Sequence, residues 1–287
     1  MLVIYKKSLV QIYIRERKNV RIRRLLEEGG PIAKRLHRAH KEHVDSLEEA
    51  KNALKTLGAR AVFRYRSDLS NAGEFDLVVT LGGDGTLLWA SHLVGSDVPI
   101  VAINTSPADS VGHFCAGTKD NLVEVLGDAI SGKLKETRLF RMRVEVDGDV
   151  VTNRVLNDAL FCHKCPAATT RYLIRVANRH EEHKSSGIWI GPAAGSTGAQ
   201  RSAGGRILPK SSKRLQFVVR ELCLPNNSGL QLRRGFIEPG QSFHIQSRIR
   251  AGHLYIDGPH LARGVGMGSE LSMRSSDEPL VLLGFSH

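Results

Sequence analysis

The chain has 287 residues, 41% of them hydrophobic, and a formal net charge of +12. That length can bury a full core in one or two domains, and no apolar run is long enough to span a bilayer. Four cysteines make no disulfide framework; without an aromatic-interleaved basic strand, the charge suits polyanionic small molecules better than nucleic acid.

Basic residues crowd the first 66 positions, and 1–24 superficially resembles a transit peptide. Folded chain is the plainer expectation, because 2–5 and 10–14 look like strand or early helix. No small-residue cleavage pattern follows an apolar core, and a cytoplasmic location is expected. Residues 33–57 have helical spacing, with Leu36, Ala39, His40, Val44, Leu47, Ala50 and Leu54 as the apolar stripe. Gly58 stands where a helix C-cap belongs. Residues 61–65 predict a short strand.

The stretch 77–88 carries the most chemistry. An apolar strand, 77–81, feeds directly into Gly82-Gly83-Asp84-Gly85-Thr86, and 86–93 has helical character. Three glycines let backbone approach a ligand and tolerate positive φ. Backbone N–H groups at the following helix start favour phosphate oxygens. A carboxylate in such a place needs a task, either holding a metal ion or taking a hydroxyl proton. The plainer reading makes Thr86 a helix N-cap and Asp84 a turn residue. The turn is neither G-x-x-x-x-G-K-[ST] nor G-x-G-x-x-G, which excludes a P-loop and an ordinary Rossmann site.

A further strand over 98–104 ends in the loop 105–107, and 120–131 is helical. Alternating strand and helix predict a doubly wound, mostly parallel sheet up to about residue 135. Both loops then lie beyond strand carboxyl ends, where such sheets bind ligands.

After Thr137 the pattern changes. Residues 141–146 alternate, Asp147-Gly148-Asp149 makes a hairpin turn, and 150–155 continues. Further strands are predicted at 171–177, 188–190, 215–220, 242–247, 253–256 and 280–283. With few helices between them, these predict an antiparallel β domain. Asn157-Asp158 offers the donors and acceptors that bracket a ribose or an adenine edge, and is also a common turn pair. A second glycine and hydroxyl cluster, Gly195-Ser196-Thr197-Gly198 then Ser202-Ala203-Gly204-Gly205, either opens a helix toward a ligand or forms a surface loop. Cys162-x-x-Cys165 followed by His180-x-x-His183 invites a zinc reading. The last spacing is one residue short, and 171–177 reads as strand, so free residues are expected.

Taken together, these segments resemble the NAD kinase family. Leu81-Gly82-Gly83-Asp84-Gly85-Thr86 matches its phosphate-loop signature, and Asn157-Asp158 its Asn-Glu/Asp pair. Gly195-Ser196-Thr197 with Ser202-Ala203-Gly204-Gly205 matches its Gly-Ser-Thr-Ala…Ala-Gly-Gly segment, and Ile256-Asp257-Gly258 its late Asp-Gly. The matches keep the family's order over 77–258. Residues 159–171, and 185–187 leading to 193–196, look most like the plant-type branch that prefers NADH. Three departures touch the expected pocket: Ser186 replaces a common Asp, Pro192-Ala193-Ala194 replaces Thr-Pro-Thr, and His113 replaces an aromatic.

The resemblance implies an α/β domain over 1–135, a β-sandwich over 136–265, and a last segment, 266–287, packing back on the first domain. It implies transfer of the γ-phosphoryl of ATP to the adenosine 2′-hydroxyl of NAD or NADH, with Mg²⁺ accompanying ATP. It also implies a homodimer or larger homo-oligomer. Asp84 would accept or orient the 2′-hydroxyl proton, while Gly82, Gly83 and Gly85 admit phosphates to the backbone. Thr86, Asn104 and His113 belong to the same expected pocket. Asn157 and Asp158 would hold ribose or adenine groups, Thr197, Gly198, Ala199 and Ser202 would line the adenosine pocket, and Asp257 completes the set. No protein metal site, nucleic-acid partner or membrane partner is expected. The alternatives are a lipid kinase of the same superfamily, acting on diacylglycerol or a sphingoid base, and a non-catalytic dinucleotide sensor.

Overall fold

The computed structural model describes residues 1–69, 71–223, 229–259 and 261–285. It divides into two compact units, Met1–Thr137 with Val281–His287, and Arg138–Leu280.

The first unit is built on strands β1 (Leu2–Tyr5), β2 (Val62–Tyr65), β3 (Val78–Gly82), β4 (Ile100–Asn104), β5 (Gly117–Thr118), β6 (Glu136–Leu139) and, from the far end of the chain, β19 (Leu280–Leu283). Their order is β2-β1-β3-β4-β19-β6, with β5 beside β4. The pairs β1/β2, β1/β3, β3/β4, β4/β5 and β4/β19 are parallel. The chain first moves outward from β1 to β2 and then returns to the other side of β1. The order therefore reverses between β1 and β3, the point beyond which doubly wound sheets bind ligands.

Its helices are α1 (Val20–Glu27), α2 (Pro31–Thr56), α3 (Asp84–Ser91) and α4 (Leu122–Ile130). Period-2 alternation turns Val3, Val79, Leu81, Val101 and Ile103 to one sheet face, where they share a core with Leu47, Leu54, Leu122 and Leu126 of α2 and α4. Gly30 leads into Pro31 at the start of α2, and Gly58, just past its end, has a φ of +66°, as a helix stop requires. The predicted stripe on α2 is shifted. His43, Ser46 and Ala53 are buried, whereas Leu36, Ala39 and His40 are half-buried. The sequence reading had no helix at 20–27. There Asn19 caps α1, its Oδ1 accepting the Ile22 N–H at 3.0 Å.

The second unit holds β7 (Met142–Val146), β8 (Asp149–Val155), β9 (Ala159–His163), β10 (Thr170–Val176), β11 (Arg179–Ser185), β12 (Gly187–Pro192), β13 (Leu215–Arg220), β14 (Arg234–Ile237), β15 (Ser242–Ser247), β16 (Gly252–Ile256), β17 (Leu261–Val265) and β18 (Glu270–Ser275). They form two six-stranded sheets, β11-β10-β15-β18-β7-β8 and β14-β13-β12-β9-β16-β17. Every registered pair in them is antiparallel. Alternate residues of both sheets meet in one core, where Phe217 stacks on Phe243 at 4.7 Å and Phe161 meets Tyr172 edge-on at 5.9 Å. This is a β-sandwich. Asp147 and Gly148 both have positive φ, 54° and 88°, which matches the twist of a two-residue hairpin.

One expected boundary moves. Residues 266–280 stay with the sandwich, because β18 pairs with both β15 and β7 through its buried Leu271 and Met273. Only the chain from Val281 onward belongs to the first unit.

Candidate active site

In the first unit the glycine turn occupies the end of β3 and the start of α3. Gly83 is the N-cap, Asp84 is the first helical residue, and Thr86 is buried inside the helix, so Thr86 is not the cap. None of Gly82, Gly83 and Gly85 has positive φ, so the expected use of that freedom is not made. Close approach is used instead. A Cβ on Gly82 would overlap the Thr86 side chain, and one on Gly83 would overlap Ser110 Oγ. Gly85 has open space where its Cβ would stand and is exposed. It is therefore the one glycine of the three that no contact among the described residues requires. The Thr86 N–H closes the first turn on the Gly83 carbonyl at 2.8 Å, whereas the Asp84 and Gly85 N–H groups ahead of it have no i−4 acceptor within α3, and a helix N-terminus favours anions.

The Asp84 carboxylate is half-buried and held from both sides. Its Oδ2 accepts the His113 N–H and its Oδ1 the Phe114 N–H, each at 2.9 Å. An ionised carboxylate offers about four lone-pair sites, so a substrate hydroxyl can still bond to it in a fixed orientation. Cys115, next along, has its thiol pushed up to about 12 by burial and then by the Asp84 charge, which makes it a poor nucleophile. The His113 ring packs edge-on against Phe114 and Phe285, at 5.1 and 6.1 Å.

Asn104, expected to bind ligand, braces its own loop. It is buried, its Nδ2 donates to the Ser110 carbonyl at 2.9 Å, and its Oδ1 accepts the Ser106 N–H at 3.1 Å. Gly112 (φ +65°) passes so close that a Cβ would sit 2.5 Å from Asn104 Nδ2. The neighbouring Thr105 bonds the fully buried His43. His43 Nε2 faces the Lys6 carbonyl at 2.6 Å and must donate to it, so Nδ1 accepts from Thr105 Oγ1 at 2.9 Å. One imidazole thus ties α2 to the loops after β1 and β4. Burial pushes its pKa down to about 4.

In the second unit Asn157, Asp158, the 195–202 segment and Asp257 come together. Asp257 (φ 49°) accepts the N–H groups of Leu156, Asn157 and Asp158 at 2.9, 2.6 and 3.1 Å. Its own N–H donates to the Asp158 carbonyl at 2.9 Å. Both carboxylate oxygens therefore shape the 156–158 turn. Asp158 is buried, and its pKa rises to about 7, through burial first and the Asp257 charge second. Gly195 lies against the Asn157 backbone, where a Cβ would overlap the Asn157 carbonyl. The Asn157 amide lies beside Gly198, at 3.6 Å from where its Cβ would stand.

Residues 193–197 form a single tight turn, and the helix expected to open at Thr197 is only α5 (Ala199–Ser202). Thr197 and Ser202 are exposed, with Gly198 and Ala199 half-buried between them. Sequence reasoning missed two buried glutamines beneath this segment. Gln216 Nε2 donates to Gln200 Oε1 at 3.1 Å, and Gln200 Nε2 reaches the Asn157 carbonyl at 3.5 Å. An amide pair 16 residues apart has no local signal.

The zinc-like spacing does not assemble. Cys162 lies on β9 and His183 on β11, in different sheets, and the His183 ring stacks on Tyr172 at 5.8 Å. Among the described residues no three His, Cys, Asp or Glu side chains stand together to hold a metal ion.

A family model described as ATP-NAD kinase N-terminal domain matches residues 16–134. A probable NADH kinase of Oryza sativa subsp. japonica is 32% identical over 261 residues, covering 83% of this chain and 80% of the relative. An NADH kinase of Arabidopsis thaliana is 34% identical over 245 residues, covering 77% of each. In fold, the chain is similar to the crystal structure of an NAD kinase from Archaeoglobus fulgidus in complex with ATP. The TM-score is 0.64 at 18% identity, covering 98% of this chain and 93% of that one.

Proposed function

The chain belongs to the NAD kinase family, and from that premise we propose that it transfers the γ-phosphoryl of ATP to the adenosine 2′-hydroxyl of NAD or NADH, forming NADP(H). The observation that carries the reading is Asp84, a carboxylate at a helix N-terminus, pinned by the His113 and Phe114 N–H groups beside an unobstructed Gly85. A pure anion binder gains nothing from a negative charge there. Phosphoryl transfer passes through a loose transition state, so positioning the hydroxyl in line matters more than strong base catalysis. Asp84 takes the 2′-hydroxyl as its hydrogen-bond donor, and the N–H groups at the start of α3 meet phosphate oxygens. Asn157 and Asp158 hold adenosine groups, with the exposed Thr197 and Ser202 at the pocket's edge. Relatives named as NADH kinases do not favour the lipid-kinase alternative.

Mg²⁺ is proposed to arrive with the nucleotide. The described residues build no cage for it, and Mg²⁺ commonly binds through one or two carboxylates plus substrate phosphates. Bound to ATP, it would supply charge neutralisation. A cytoplasmic homodimer or larger assembly is proposed with the family reading, and sedimentation at several concentrations tests the assembly. No helix among the described residues is long and apolar enough to cross a membrane.

Initial rates of NADP(H) formation with MgATP, with NAD and NADH in parallel, test the activity. Turnover with at least one dinucleotide is expected, with NADH the better acceptor. Asp84→Asn should abolish turnover without changing the melting behaviour. Near-normal kcat in that variant would remove Asp84 from the mechanism.

A further inference from the structure

A cavity of about 530 Å³ opens in the first unit beyond the carboxyl ends of β1 and β4. One wall is a face of α2 carrying Ile32, Leu36 and Ala39; Leu9 and Ile12 from the segment after β1 also line it. This is why Leu36, Ala39 and His40 are only half-buried despite their place in the predicted stripe. Leu9 and Ile32 keep 52% and 62% of their surface exposed, an apolar surface that the fold itself does not use.

The cavity's charges are unevenly matched. Lys7 is neutralised by Glu16 at 2.6 Å, and Asp109 is held by Arg35 and Arg38. Lys6 and Arg66 also line the cavity, and among the described residues neither has a carboxylate within ion-pair distance. They stand close enough that Arg66 disfavours the charge on Lys6, after burial does, with Asp109 only partly offsetting both. Two unmatched cations beside an apolar wall fit a ligand with an anionic end and a flat apolar body. Ser110 links the cavity to the glycine turn, since it lines the one and packs against Gly83 in the other.

We propose that this cavity holds the base and ribose of the phosphoryl-donor nucleotide, with its phosphates on Lys6 and Arg66 and directed toward Gly83. The assignment rests on the kinase reading above and makes the donor a nucleoside triphosphate. Inorganic polyphosphate has no apolar part and gains nothing from the walls.

Ala39→Trp fills the cavity from α2, and Lys6→Met removes one cation while keeping its apolar stem. Initial rates against MgATP and NADH, with calorimetric titration of MgATP in the absence of dinucleotide, form the test. In both variants the KM for MgATP should rise about tenfold or more while the KM for NADH stays within about twofold. Lys6→Arg should recover most of the loss, and Ala39→Trp should lose calorimetric binding. Polyphosphate should support less than about a tenth of the MgATP rate. Unchanged KM for MgATP in folded Lys6→Met and Ala39→Trp, or a comparable rate with polyphosphate, would overturn the proposal. If the wild type formed no NADP(H), the kinase reading would fall, and calorimetry would still decide the cavity. MgATP binding lost in Ala39→Trp would support it, and absent or unaltered binding would sink it.

Discussion

Asp158 is the residue through which pH reaches the candidate site. Burial, and then the charge of Asp257, raise its pKa from the usual 3.8 to about 7. It is therefore half-ionised near neutrality, and on the proposed reading the ionised form accepts adenosine hydroxyls through both oxygens, whereas protonation turns one of those oxygens into a donor. The expected outcome is a kcat/KM for NADH that rises as pH passes through about 7 and then levels. Asp158→Asn keeps the shape of the protonated form and should flatten that profile; the same inflection in the variant would assign it to another group. At this scale the sequence was partly legible. The residue types around Asp84 suggested its task, but its two N–H donors come from positions 113 and 114, which no local pattern predicts. Asn104 and Asp257, expected at ligands, also brace backbone, Asn104 its own loop and Asp257 a turn about a hundred residues away, a use that no local pattern shows.

At the scale of elements, the 156–158 turn is held by two devices remote in sequence, the Asp257 carboxylate and the close approach of Gly195. Asp257→Ala leaves three backbone N–H groups without their acceptor. It should cost about 2–4 kcal/mol in denaturant unfolding and raise the KM for NADH more than it lowers kcat. A KM unchanged in the folded variant would show that the turn holds its shape without Asp257. Gly195→Ala should be equally harmful, since its methyl meets a carbonyl rather than a flexible side chain. Elements with strong periodicity, such as α2 and the strands β7, β10 and β15, were legible. Several strands the sequence reading missed, β11, β14 and β17, lie at sheet edges. The charged β11 and the glycine-bearing β14 and β17 carry little of the alternation that a half-buried strand shows. β18 was missed for a different reason: two buried side chains in six residues are too few to reveal a period, although it pairs on both sides.

For the molecule as a whole, His43 links acidity to stability. Its folded pKa is pushed down to about 4 from 6.5, so the unfolded chain binds the proton more readily between those values. Stability is therefore full above about 6.5 and is lost as pH falls toward 4, by up to about 3 kcal/mol. Melting of the first unit followed between pH 7.5 and 4.5 should show this slope. His43→Gln, whose amide can still donate to the Lys6 carbonyl, should flatten it. An unchanged slope would place the effect in other groups.

The chain's own order of residues sufficed for the kind of fold and the kind of chemistry. Alternation with helical spacing dictates a parallel sheet first and antiparallel strands later, because apolar side chains must face a core at the period of their element. Glycines around one acidic residue between a strand and a helix mark the turn that the family resemblance reads as a phosphate loop, because glycines admit close approach of backbone. The cavity on α2, the His43 clamp, the Gln200–Gln216 pair and the true end of the sandwich depended on contacts between distant segments. Such contacts form only when the chain closes on itself, and they then settle which half-buried face meets core and which meets ligand.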